Sequence, residues 1–183
     1  EFLTLAFFVP MAYALARMHT DALSWKATKL LAFEGSFHGR TLLSLYASHS
    51  PAKRVPFEIP GYEVDFAPFP RWDARGAEAS EPEGFRALCG AGDVDGLIAK
   101  FGESSDLLLR AEVQALAHVA KTVAARKHFA VVIEPMQSEG GDRYASARFH
   151  RALRLVTRAH GVPLIMDEVQ CGFGLGGDFA WHS

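Results

Sequence analysis

Two rhythms of apolar residues alternate through the second half of the chain. His128 to Ile133 (HFAVVI) and Val162 to Met166 (VPLIM) are unbroken apolar runs. Between Arg110 and Arg126 the apolar positions Val113, Leu116, Val119, Ala120 and Val123 instead return every three or four residues. Short unbroken runs predict buried strands, and three-to-four spacing predicts one face of a helix. Ser146 precedes a second helical stripe, Phe149, Ala152, Leu153 and Val156, where its hydroxyl can cap the free backbone N–H groups. Gly161 stops that helix and Pro163 prevents its return.

The first half is less regular. Lys29 to Phe33 (KLLAF), bounded by Glu34-Gly35-Ser36, reads as a buried strand. Thr41 to Ser48 continues as a helix with Leu42, Leu45 and Tyr46 on one side. The prolines between Pro51 and Pro70 oppose a long helix and predict extended segments and turns. Arg71 to Gly84 is polar and turn-rich, a surface loop, and Asp93 is placed to cap a helix running to Phe101. Helix, strand, helix, strand implies a βαβ unit. Continuously apolar strands need cover on both faces, so the expected fold is α/β: a mostly parallel open sheet with helices on both faces and right-handed crossovers.

Composition narrows the function classes. Hydrophobic residues at 49% and charged residues at 22% are ordinary for a chain with a buried core. A net charge of -2 and the lack of any Lys/Arg run argue against nucleic acid as a partner. Glu1 to Ala16 is strongly apolar, but no basic start precedes it and Pro10 interrupts it, so neither a secretory signal nor a membrane partner is expected. A cytoplasmic location follows as an expectation. Cys89 and Cys171 have no CxxC spacing, and eight histidines occur without HExxH, so no metal site is expected.

Candidate chemistry lies at strand ends. HFAVVI runs into Glu134 and VPLIM runs into Asp167-Glu168. In open parallel sheets ligands sit beyond the carboxyl ends of the strands. A solvated strand end or a helix cap accounts for any single such acid equally well.

Three blocks carry a family resemblance: Phe33 to Arg40 (FEGSFHGR, with APFPR at Ala67 to Arg71), Ile133 to Ser146 (IEPMQSEGGDRYAS), and Asp167 to Gly174 (DEVQCGFG). Together, in this order, they resemble class III pyridoxal-phosphate-dependent aminotransferases, and most of all the branch containing 4-aminobutyrate and lysine 6-aminotransferases. The resemblance covers about residues 29 to 183 and leaves residues 1 to 28 as a poorly matched apolar segment. It implies part of the large domain of a fold-type I pyridoxal-phosphate transferase, a homodimeric parent, and an amino donor and a 2-oxo acid as small-molecule partners. With pyridoxal 5'-phosphate as cofactor, Asp167 would pair with the pyridine nitrogen, keeping it protonated and the ring an electron sink. Phe37 would stack on one ring face, Val169 would press on the other, and Gln170 would bond the ring's phenolic oxygen. Arg40 would clamp a substrate carboxylate, as a planar guanidinium suits two parallel hydrogen bonds. Glu139 matches a glutamate that neutralises another arginine, and His38 and Glu134 would shape the pocket. Without the resemblance, Phe37 reads as well as a core aromatic, and Arg40 as a surface arginine.

The resemblance also places the imine-forming lysine some tens of residues after DEVQ, whereas Lys26, Lys29, Lys53, Lys100, Lys121 and Lys127 all precede Asp167. No catalytic lysine is therefore assigned, and the chain is expected to be an internal piece, inactive alone. The family's glycine-bearing phosphate turn and Glu-Asn pair have no match between Glu1 and Arg17. Two alternatives stand beside this reading. One is a non-catalytic remnant of the same fold. The other is a dinucleotide oxidoreductase suggested by Gly172, Gly174 and Gly177 in GFGLGG, although five residues separate the preceding strand from that pattern.

Overall fold

A computed structural model describes residues 3–4, 16–18, 27–57, 61–72, 79–172 and 174. Most of the apolar Glu1 to Ala16 run, the middle of the Arg71 to Gly84 loop, and the glycines after Gly174 lie outside the described residues.

The core is one five-stranded sheet. Its strands are β1 (Leu3–Thr4), β2 (Lys29–Phe33), β3 (Glu63–Ala67), β4 (His128–Ile133) and, after a two-stranded hairpin of β5 (Met136–Gln137) and β6 (Arg143–Tyr144), β7 (Leu164–Met166). The order across the sheet is β1-β7-β4-β2-β3, and every neighbouring pair is parallel. All six residues of β4 are buried. Successive side chains of a strand point to opposite faces, so both faces of the sheet are covered, as the unbroken apolar run requires. Phe33 lies edge-on to Phe69 and to Phe149, with ring centroids 6.3 and 6.1 Å away. Such contacts add to the roughly 1.5–3 kcal/mol that burying each large apolar side chain contributes.

The helices are α1 (Leu42–Ala47), α2 (Pro51–Arg54), α3 (Phe85–Ala91), α4 (Val94–Phe101), α5 (Leu107–Ala124) and α6 (Ala147–Ala159). Caps set several starts. Asp93 accepts from the N–H of Gly96, and Ser146 accepts from the N–H of Phe149. The predicted α5 stripe is buried at Val113, Leu116, Val119, Ala120 and Val123. Its helix begins one turn earlier than the stripe suggests, because the Asp106 carboxylate accepts from the N–H groups of Leu108 and Leu109.

The Pro-rich stretch holds more order than expected. After α2 and a 3-10 turn at Val55–Phe57, residues Glu63–Ala67 are extended and form the edge strand beside β2. Its acids carry their own partners. Lys29 Nζ reaches Glu63 Oε2 at 2.5 Å, and His128 Nε2 lies 2.8 Å from Asp65 Oδ2. The last predicted strand is shorter than the VPLIM run and begins at Leu164. Pro163 has no N–H to give a ladder, but its carbonyl still accepts from the N–H of Val131 at 2.9 Å.

Candidate active site

The strand order reverses direction around β2. From there the chain goes first to β3 on one side and later to β4 on the other. That is a topological switch point, and the crevice beyond its carboxyl edge is where an open α/β sheet binds ligands. In β4 and β7, Ile133 is paired with Met166, so Glu134 and Asp167 leave the sheet side by side. The N–H of Asp167 donates to the carbonyl of Ile133 at 2.8 Å, which extends the ladder up to the acid itself. From β2 the chain enters the Glu34 to Arg40 loop. The Glu34 N–H bonds the Ala67 carbonyl at 2.8 Å and keeps the loop's origin on the sheet.

That loop is fastened on three sides. The Ser36 hydroxyl donates to the Ala47 carbonyl at 2.7 Å, and the His38 N–H donates to Ser48 Oγ at 3.0 Å, which ties it to the end of α1. Gln137 Nε2 donates to the Glu34 carbonyl at 2.9 Å. Gly35 (φ 82°) and Gly140 meet back to back, and a Cβ on Gly140 would strike the Gly35 carbonyl oxygen. On the remaining side the Phe37 N–H donates to Glu134 Oε2 at 2.8 Å, a contact between residues 97 apart in sequence.

These ties bring Phe37, His38, Glu134 and Asp167 together. His38 Nδ1 lies 2.7 Å from Asp167 Oδ2, with both residues at 4% exposure. A carboxylate only accepts, so Nδ1 carries the proton of this bond. Among the described residues, buried His38 Nε2 has no hydrogen-bond partner. The second oxygen of Asp167 accepts from the N–H of Val169 at 3.2 Å. The Asp167 carboxylate is thus held by one residue on each side, on the crevice edge of the sheet.

The local charges act on one another. Burial disfavours a charged His38, but the hydrogen bond and charge of Asp167, helped by Glu134, outweigh it and hold the imidazole above the usual histidine value. Glu134 is pushed up to about 7, chiefly by burial, with Asp167 and Glu139 adding to the rise. His38 and the Phe37 N–H pull it the other way. Glu134 is thus a buried acid whose ionisation is displaced by its surroundings, as is common at functional sites.

The remaining predicted residues stand further out. Val169 is 51% exposed, and Gln170 is exposed on the same turn. Arg40 is exposed, and Glu139, also exposed, lines a cleft of about 370 Å³. Ser36, Phe37, His49, Ser50, Lys53 and Glu139 are among its lining residues. The partner of Glu139 here is Lys53, whose Nζ lies 2.8 Å from Oε1 and also 4.7 Å from the centre of the Phe37 ring. Lys53 first, and Arg40 after it, hold the Glu139 carboxyl below the usual value. Lys53, His49 and Ser50 were not foreseen as cleft residues. Their only sequence signal is the short polar interval between α1 and the prolines, which has no periodicity to read.

An all-parallel five-stranded sheet with Glu134 and Asp167 at the carboxyl ends of adjacent strands defines an open α/β domain. Comparison with known proteins gives that domain its family. The family model for class-III aminotransferases matches residues 8–183, and the chain belongs to that family. It is 37% identical over 154 residues to the mitochondrial 4-aminobutyrate aminotransferases of Sus scrofa and Homo sapiens, a match covering 84% of this chain and 26% of each relative. Among solved structures, a lysine aminotransferase from M. tuberculosis superposes with a TM-score of 0.70 at 24% identity, over 98% of this chain and 37% of that one. An omega-transferase from Vibrio fluvialis gives 0.67 at 18% identity. The chain therefore spans about a quarter of the curated relatives it matches and has the fold of part of these larger enzymes. The family match spans Gly172, Gly174 and Gly177.

Proposed function

We propose that this chain supplies the ring-binding part of a pyridoxal-phosphate-dependent transaminase, which moves an amino group from an ω-amino acid of 4-aminobutyrate or lysine type to a 2-oxo acid. One observation carries the proposal: a buried carboxylate, Asp167, fixed by His38 and the Val169 N–H where the parallel sheet opens to ligand.

The residues present fit a protonated heteroaromatic ring. An ionised carboxylate offers about four lone-pair positions. Two of those on Asp167 are taken, so it retains capacity for a ring N–H. Phe37 is half-buried and offers an aromatic face, and Val169 an exposed apolar side chain. When bound, pyridoxal phosphate supplies an aldehyde that takes up the donor's amine and a ring that accepts electrons. Asp167 would keep a proton on the ring nitrogen. His38 holds Asp167 in place and spreads the negative charge of the carboxylate. Gln170 would hydrogen-bond the phenolic oxygen, and Phe37 and Val169 would flank the ring. Arg40 would take the donor's far carboxylate, while Glu139, whose carboxyl feels the Arg40 charge, limits the net positive charge beside it.

The donor class is tested by turnover of a protein that carries this segment together with an imine-forming lysine, with 2-oxoglutarate as acceptor. The expected result is that 4-aminobutyrate or lysine is used at least about a hundredfold better, by kcat/KM, than an alkylamine of equal length without a carboxylate, since losing a charged partner costs several kcal/mol. Equal use of the carboxylate-free amine would reject Arg40 as the clamp.

A further inference from the structure

We infer that Glu134 is a positioning residue: from the end of β4 it sets the place of Phe37, and with it one wall of the cleft, through the Phe37 backbone N–H. The inference rests on the proposed function only where Phe37 is given a cofactor to face.

Among the described residues, Phe37 meets the site through its backbone N–H and its ring. Its N–H is taken by Glu134 Oε2 at 2.8 Å, and its ring lies 4.7 Å from Lys53 Nζ. Lys53 is partly exposed and shared with an exposed Glu139, so that contact is screened by water. Glu134 is 3% exposed, and its grip comes from the end of a different strand, 97 positions away in sequence. A buried acceptor that is charged holds an N–H about twice as strongly as a neutral one. Gly35 and Gly140 line the same cleft as Phe37. An ordinary structural acid would be satisfied by a helix cap or a surface cation. This one accepts from the backbone amide of Phe37, a residue that lines the cleft.

The grip is also adjustable. Glu134 titrates close to neutral pH, and the charges acting on it are His38, Asp167 and Glu139. Above the midpoint it is a carboxylate and a strong acceptor. Below it, the protonated form still accepts, but through a neutral oxygen. The hold on Phe37 should therefore tighten as pH rises.

The test uses backbone amide exchange and pyridoxal phosphate titration on the intact protein, with Glu134→Gln and Glu134→Ala. After correction for intrinsic rates, wild-type protection of the Phe37 amide should rise several-fold between about pH 6 and pH 8, following the stronger charge-assisted bond. Glu134→Gln keeps an acceptor oxygen without the charge and should give a flat profile. Glu134→Ala should lose at least about tenfold in protection and in pyridoxal phosphate affinity, as expected for a buried N–H left unpaired. In Glu134→Gln the affinity should remain within about threefold of wild type, since one neutral hydrogen bond replaces a charged one. Phe37 protection within twofold of wild type in Glu134→Ala, or a pH profile that survives in Glu134→Gln, would overturn the inference. If Glu134→Ala does not fold, the Glu134→Gln profile decides alone. If the wild type binds no pyridoxal phosphate, the proposed function fails, and the amide measurement still decides the role of Glu134.

Discussion

Replacing Asp167 by Ala should reduce pyridoxal phosphate affinity and turnover by at least about a hundredfold, a loss of the size expected when a buried charged hydrogen bond is removed. Two effects add. The ring nitrogen loses its counter-charge, and His38 loses the group that holds its Nδ1 proton inside the protein. Asp167→Asn separates them. It keeps the shape and an oxygen for His38, but it cannot keep a proton on the ring nitrogen. Affinity should therefore fall less than in the Ala variant, while turnover falls as far. Fluorescence titration with the cofactor and a coupled transamination assay give the two quantities separately. Equal affinity for wild type and Asp167→Ala would remove the basis of the assignment.

The second large effect lies away from the site. Glu112 in α5 and Arg148 in α6 are both fully buried, and Arg148 Nε lies 2.6 Å from Glu112 Oε2. Arg148 also donates to the Ser80 carbonyl, and the Ser146 hydroxyl donates to Glu112 Oε1, so the pair joins α5, the start of α6 and the loop before α3. Removing one partner leaves a buried charge unpaired, which costs about 3–5 kcal/mol. Against a total stability of about 5–15 kcal/mol, Glu112→Leu or Arg148→Met alone should unfold much of the protein or lower Tm by many degrees. The double variant should recover most of that loss, because two apolar side chains of similar volume need no desolvated charge. Urea denaturation of the four proteins measures it. Additive losses in the double variant would show that the two side chains act independently.

These two cases mark what the sequence could and could not tell. Glu134 and Asp167 were legible as site residues because the apolar runs before them read as parallel strands, and such strands point ligands toward their carboxyl ends. Their partnership with the FHGR loop needed the family motif, since no local pattern links residues 97 or 129 positions apart. Arg148 was not legible. Arginine is a surface residue by habit, and the α6 stripe of Phe149, Ala152, Leu153 and Val156 explains that helix without it. Its burial depends on Glu112 on another helix, a contact with no sequence signature. β3 was read only as part of an extended, proline-bounded stretch; its alternating Glu63, Val64, Asp65 and Phe66 suit an edge strand whose two acids meet Lys29 and His128. Lys53 reaches the cleft through a short helix among prolines, where periodicity gives no guidance.

The role of the strand-end carboxylate can be seen most directly by nitrogen NMR of pyridoxal phosphate labelled at its ring nitrogen and bound to the intact protein. A pyridinium-type shift that persists well above the pH at which the free cofactor loses that proton, and that disappears in Asp167→Asn, is the predicted result. A ring nitrogen that titrates in the pocket as it does in water would contradict it.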